Sequence, residues 1–175
     1  GTTNFVHNQN VVAVSIGVEY QGEIIVGVVN CPFLDELFTA IKGYGAYLNG
    51  RQISVSERSE IKEGLFATGF PYELNDQFYT NMELFKKIYE HSQGVRRFGS
   101  AAIDICYVAC GRFDGFWEFG LNPWDISAGS LILQEAGGQL SDFSGQGFSI
   151  YGNQILATNQ YMQTPMLDII QQEIK

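Results

Sequence analysis

Two periods share this chain, and the place where one gives way to the other limits what it can fold into. Between residues 10 and 53 apolar residues alternate with small or polar ones, the spacing of strands that bury one face. Gln21-Gly22 and Asn49-Gly50 interrupt the alternation where tight turns belong, and Pro32 closes the second run. The spacing predicts a hairpin over residues 10–20 and 23–30 and a third strand over 36–41. Two short strands, 46–48 and 51–53, follow, joined by a type I′ turn at Asn49-Gly50. The first third reads as an antiparallel meander.

The second texture mixes periods. A short buried strand over 65–68 ends at Gly69-Phe70-Pro71. Over 76–91, Phe78, Met82, Phe85, Ile88 and Tyr89 recur at helical spacing, so they are expected on the buried face, with Lys86, Lys87 and Glu90 in water. Then come a strand over 95–98, a helix over 101–110, a strand over 113–119 and a helix over 124–136. Short strands at Leu140 and 155–158 precede a closing helix over 164–174, with Pro165 near its start. Alternating strands and helices imply a layered α/β fold. Residues 1–60 would form the meander of a first sheet, and 61–175 a mixed α/β part, of one partial domain.

Charge narrows the function classes. Ten Lys and Arg against 19 Asp and Glu leave −9, which argues against a nucleic-acid surface. An acidic protein that binds phosphate needs cations or backbone N–H groups to do so, which points toward metal-assisted chemistry. Cys31, Cys106 and Cys110 are odd in number and lack CxxC spacing, so they are expected to be reduced core residues. With no signal peptide and no apolar run of membrane-spanning length, the expectation is a cytoplasmic protein without a membrane role.

Three clusters lack an obvious packing purpose. Gly1-Thr2-Thr3-Asn4 could wrap N–H groups around an anion, and reads equally well as a turn and helix cap. Phe98-Gly99-Ser100-Ala101-Ala102 lies at a strand-to-helix junction, where small residues admit a ligand to the backbone, or where Ser100 is a plain cap. Trp117-Glu118-Phe119-Gly120 leads to Asp125, seven residues beyond Glu118 across a strand-to-helix turn, where carboxylates can line a crevice. Pro123 suits a first helical turn and Gly137-Gly138 a stop, so Asp125 meets the free N–H groups of a helix start. It can cap that helix or hold Mg²⁺ at a phosphate site; taken alone, the motif leaves the cap ahead. His7 and His91 are isolated, and Asp104 and Asp114 are expected to cap or to pair with Arg96, Arg97 or Arg112. No Ser-His-Asp or Cys-His arrangement, GxGxxG or P-loop is present.

At these clusters the chain resembles the inositol monophosphatase family of Mg²⁺-dependent phosphatases. Gly1-Thr2-Thr3-Asn4-Phe5-Val6-His7 resembles the end of the family's Asp-Pro-x-Asp-Gly-Thr-x-Asn-Phe motif. Trp124-Asp125-x-x-Ala128-Gly129 with Glu135-Ala136-Gly137-Gly138 resembles its second signature, and Gly99-Ser100-Ala101-Ala102 and Trp117-Glu118 its substrate-contacting segments. The details of 112–118 look nearest to bacterial members. The resemblance implies an αβαβα sandwich of the sugar-phosphatase type, of which this chain, opening on Gly1 without Met, would be the C-terminal part.

It also implies roles. Asp125 would be catalytic, a Mg²⁺ ligand and a substrate contact. Gly1 and Thr2 would bind phosphate through N–H groups, and the Thr2 hydroxyl would help hold the attacking water. Gly99, Ser100 and Ala101 would contact substrate hydroxyls, and Glu118 would accept from one. Expected properties are hydrolysis of an inositol monophosphate or related sugar phosphate, a homodimer, and inhibition by lithium. Fructose 1,6-bisphosphatase or another small-phosphate activity, or a non-catalytic regulatory or binding role on this fold, are the alternatives. The Glu and the two Asp of the family's upstream half are absent from this chain, so these 175 residues alone are expected to be inactive.

Overall fold

The computed structural model describes residues 1–174. A short helix, α1 (Thr2–Val6), comes first; it has no side-chain cap, and at five residues its sequence carries no periodic signal. The meander follows as β1 (Val14–Tyr20), β2 (Glu23–Cys31), β3 (Glu36–Ile41), β4 (Ala46–Leu48) and β5 (Arg51–Gln52), antiparallel in that order. The turn between β4 and β5 has φ of +49° at Asn49 and +76° at Gly50, as a type I′ turn requires. Asn49 holds the loop opposite as well, accepting from the Leu37 N–H at 2.7 Å and donating to the Asp35 carbonyl at 2.7 Å.

Beyond a single 3₁₀ turn, Ile61–Glu63, the chain forms β6 (Leu65–Thr68), α2 (Asp76–His91), β7 (Gly94–Arg96), α3 (Ala101–Ala109) and β8 (Gly115–Phe119). Then come α4 (Pro123–Glu135), β9 (Gln139–Ser141), β10 (Gln154–Thr158) and α5 (Gln163–Glu173). The second sheet runs β7-β6-β8-β10-β9, with β6 parallel to β7 and β8, and β10 antiparallel to β8 and β9.

Helices α3 and α4 lie between the two sheets, sharing one core with Val29, Phe38 and Ala40 on one side and Phe116, Ile155 and Ala157 on the other. A second core joins the far face of the second sheet, through Phe66, Trp117 and Leu156, to α2 and α5. The described residues thus build four layers of the layered α/β sandwich. On the first sheet's outer face Val14, Ile16 and Val18 stand exposed, in register with Asn30, Val28 and Val26 in turn, and Leu37 and Ile41 are exposed beside them. No outer helical layer covers that face among the described residues, so they make up four layers of the αβαβα sandwich of which this chain is expected to be a part.

The small residues of α4 have a packing reason. A Cβ on Gly17 would lie 2.4 Å from the Ser127 Oγ, and one on Gly27 would lie 2.6 Å from the Ala128 carbonyl oxygen. On the helix's other side, a Cβ on Gly129 would lie 3.2 Å from Ile105. Ser127-Ala128-Gly129 therefore lets α4 press against the paired glycines of β1 and β2 and against α3 at once. Dense packing on both sides fixes where its N-terminus, and Asp125, must stand.

Helix α2 departs from its pattern. Leu84 and Ile88 are buried together with Asn81, whereas Met82 and Tyr89 are 44% and 54% exposed and Phe78 and Phe85 are half-buried. Lys86 and Glu90 do face water, and Lys87 is half-buried. Asn81 displaces the expected residues because it is satisfied inside. Its Oδ1 accepts from the Trp117 indole N–H at 2.6 Å, and its Nδ2 donates to the Gly69 carbonyl at 2.5 Å. The Thr68 hydroxyl closes the network by donating to the Trp117 carbonyl at 2.6 Å. A buried amide with its partners in place is as well accommodated as an apolar side chain.

Candidate active site

A cavity of about 700 Å³ opens where the ends of β6 and β8 meet the N-termini of α3 and α4 and the start of α1. Gly1, Gly99, Ser100, Ala101, Glu118 and Asp125 all line it, so residues from all three sequence clusters share one space. Thr2 is exposed and is not among the lining residues. Arg97 and Asp104 line it as well.

Asn4 ties the first cluster to the second. Its side-chain amide donates to the Val11 carbonyl at 2.8 Å and to the Phe98 carbonyl at 2.7 Å, which pins α1 to the junction before α3. Gly99 turns there with φ of +76°, in the left-handed region that a side chain resists. A Cβ would also press on Arg97 Nη1 at 3.3 Å and Asn4 Nδ2 at 3.4 Å. Ser100 occupies the N-cap position of α3, yet its hydroxyl makes no capping bond; its carbonyl instead accepts from the N–H groups of Ile103 and Asp104, each at 3.0 Å. The plain-cap reading of Ser100 therefore does not describe its side chain, which faces a cavity.

Glu118 projects from β8 and is only 9% exposed. Burial pushes its carboxyl up to about 8; Arg97 opposes that rise and the charge of Asp125 adds to it. Asp104, in the first turn of α3, is 1% exposed, and burial drives its carboxyl well above the ordinary range. Glu118 adds to that rise and Arg97 again opposes it. At its Oδ1 Asp104 meets neither expectation, cap or ion pair: that atom is buried with no hydrogen-bond partner among the described residues. Asp114 does pair, but with Arg58 at 3.1 Å, while Arg112 goes to Glu36 at 2.6 Å. The sequence cannot show this exchange, because Arg58 and Asp114 meet only through the loop before β6.

Asp125 caps its helix: its Oδ2 accepts from the Asn122 N–H at 3.0 Å. The cap and a ligand role are compatible, since a carboxylate has a second oxygen and the helix N-terminus favours negative charge. Among the described residues no group of three or more His, Cys, Asp or Glu is arranged to hold a metal ion. The donor chemistry therefore fits Asp125 as one ligand of a Mg²⁺ site and not as the whole of one. No helix among the described residues is long and apolar enough to cross a membrane.

Three residues of the cavity lie outside the site expected from the sequence. Gly69 matters because Glu118 lies beside it, Arg97 because its charge acts on two carboxyl groups, and Asp104 because it is buried without a partner. Each depends on a tertiary neighbour. A lone acid in the otherwise apolar run of α3 was the one available hint.

Known proteins share this arrangement. The profile of the inositol monophosphatase family matches residues 1–175. An inositol-1-monophosphatase of Synechocystis sp. is 47% identical over 159 residues, 91% of this chain and 55% of that protein. The Nus factor SuhB of Pseudomonas aeruginosa is 43% identical over 173 residues, 98% of this chain and 64% of that protein. The structure of inositol monophosphatase from Anabaena (Nostoc) sp. superimposes with a TM-score of 0.93 at 43% identity, covering 99% of this chain and 69% of that one. The chain spans between 47% and 65% of the length of the first curated relatives it matches. Profile, relatives and fold agree over nearly every residue: the chain belongs to the inositol monophosphatase family.

Proposed function

We propose that this chain carries the substrate-binding half of a Mg²⁺-dependent phosphatase acting on an inositol monophosphate or a related sugar phosphate. The observation that carries the reading is the single cavity lined by Gly1, Gly99-Ser100-Ala101, Glu118 and Asp125. A phosphate ester of a polyol asks for backbone N–H groups, small residues that let it approach, and acceptors for its hydroxyls, and the cavity offers all three.

In this reading Gly1 at the cavity wall, and Thr2 exposed next to it in the chain, would turn N–H groups toward the phosphate oxygens, and the Thr2 hydroxyl would orient the attacking water. Gly99, Ser100 and Ala101 bound the polyol on the α3 side, where the free Ser100 hydroxyl can take a substrate hydroxyl. Glu118, protonated near neutral pH, can donate to one substrate hydroxyl and accept from another. Asp125 would be one of the Mg²⁺ ligands, and the ion when bound would lower the pKa of a water and offset phosphoryl charge. Apolar walls such as Phe119 limit water around the ester.

The test is phosphate release by the full-length protein from inositol monophosphate, with Mg²⁺ and with chelator, for wild type and Asp125→Asn. The expected result is Mg²⁺-dependent turnover that lithium inhibits, reduced about a hundredfold or more in the variant. Undiminished turnover in Asp125→Asn removes that residue from the mechanism. A panel of sugar phosphates, fructose 1,6-bisphosphate included, separates the substrates within the class. A second reading, a regulatory role on the same fold, is supported by the relative named Nus factor SuhB. Absence of turnover on every phosphate in the panel would favour it.

A further inference from the structure

Asp104 is out of place by the ordinary rules of α3. Its neighbours Ala102, Ile103, Ile105, Cys106, Val108 and Ala109 are all buried and all lack a charge. A carboxyl in such a row costs stability unless something partners it. Asp114, as deeply buried, is by contrast provided for: it accepts from Ser56, Arg58 and the Leu65 N–H. Asp104 has a buried oxygen with no partner, and the side chain borders the cavity alongside Glu118, Arg97 and Ser100.

From these placements we propose that Asp104 is a second hydroxyl-recognition group of the cavity, so that the polyol is read by a pair of carboxyl groups and not by Glu118 alone. The inference rests on the phosphatase reading given above and deepens it. Both carboxyl groups line the same cavity; burial disfavours the ionised form of each, the Glu118 charge further disfavours ionisation of Asp104, and Arg97 opposes both rises. Such a pair presents both donors and acceptors. A substrate with two adjacent hydroxyls, each donor and acceptor, fills that set; a phosphate ester without hydroxyls leaves it empty. Discrimination then follows from the penalty of a buried polar group that stays unpaired, the strongest kind of selectivity a pocket can exert. Ser100, whose hydroxyl is not spent on its helix, lies one turn before Asp104 and extends the same polar wall.

The experiment compares two phosphates on the full-length protein: inositol monophosphate, rich in hydroxyls, and para-nitrophenyl phosphate, which has none. Wild type, Asp104→Leu and Asp104→Asn are measured for kcat and KM on each, with urea unfolding to confirm that the variants fold. The expected result for Asp104→Leu is a KM for inositol monophosphate raised about tenfold, with para-nitrophenyl phosphate turnover within about twofold of wild type. Asp104→Asn, which keeps a donor and an acceptor, is expected to recover most of the loss. Equal losses on both phosphates, or none on either, would overturn the proposal while leaving the phosphatase reading intact. Wild type inactive on both phosphates would overturn the reading and the proposal together.

Discussion

Glu118 fills the space that a side chain on Gly69 would need: a Cβ there would lie 2.2 Å from the Glu118 Oε1 and 2.3 Å from its Cδ. Gly69→Ala is therefore expected to displace the carboxyl and to destabilise the fold by about 1–3 kcal/mol, the usual range for overpacking. Gly69→Ala combined with Glu118→Ala should be more stable than the sum of the single losses predicts. A double-mutant cycle in urea measures this, and additive losses would place the clash elsewhere.

The carboxyl of Glu118 gives a pH signature. Its folded value of about 8 lies above the ordinary 4.5, so between those values the folded protein keeps a proton that the unfolded chain has lost. Its contribution is therefore full below about pH 4.5 and lost as pH rises through about 8. Urea midpoints at pH 5, 7 and 9 should show Glu118→Gln gaining on wild type as pH increases. Parallel pH curves for the two proteins would mean that Glu118 ionises as freely as in water.

Asn81 joins α2 to the strand ends that support the cavity. Asn81→Leu keeps the volume roughly constant but leaves the Trp117 N–H and the Gly69 carbonyl without that partner. The expected loss is about 3 kcal/mol, measured by denaturant unfolding. Tryptophan emission should shift too, since Trp117 is fully buried while Trp124 is 69% exposed. An unchanged stability would show that the apolar replacement compensates for the network.

Asp114 anchors the loop before β6 through Ser56, Arg58 and the Leu65 N–H. Asp114→Ala is expected to cost about 2–4 kcal/mol and to free that loop locally. Trypsin should then cut after Arg58 faster than in wild type under native conditions. Unchanged cleavage would mean that Asn159, which also holds Ser56 and the Arg58 carbonyl, suffices alone.

Much of this fold was legible in the sequence, and its unreadable parts have physical reasons. The meander, the mixed second part and the long helices followed from period and turn chemistry, with ends off by one or two residues for most elements and by four at the start of β1. Helix α1 stayed ambiguous, with a turn-and-cap reading and an anion-binding one both open at Gly1-Thr2-Thr3-Asn4, because five residues without a side-chain cap carry no period. The buried face of α2 was misjudged at Met82 and Tyr89 because hydrophobicity cannot register an amide as well partnered as Asn81. In the cavity, the clusters around Gly1, Gly99 and Glu118 were visible as small or acidic residues at element ends. Gly69, Arg97 and Asp104 were not, because each acts through a neighbour brought close only by the fold. Asp125 retained both readings, and the cap proved real.

The Asn4 amide spans 94 positions of chain to reach the Phe98 carbonyl. Contacts of such separation are slow to form, because loop-closure entropy is lost before the bond is gained. The pocket's two walls therefore cannot be assembled early by any local segment. Refolding that restores the strands and helices but not this bond would yield a chain with native-like circular dichroism and no ligand affinity, and recovery of binding would lag behind recovery of secondary structure.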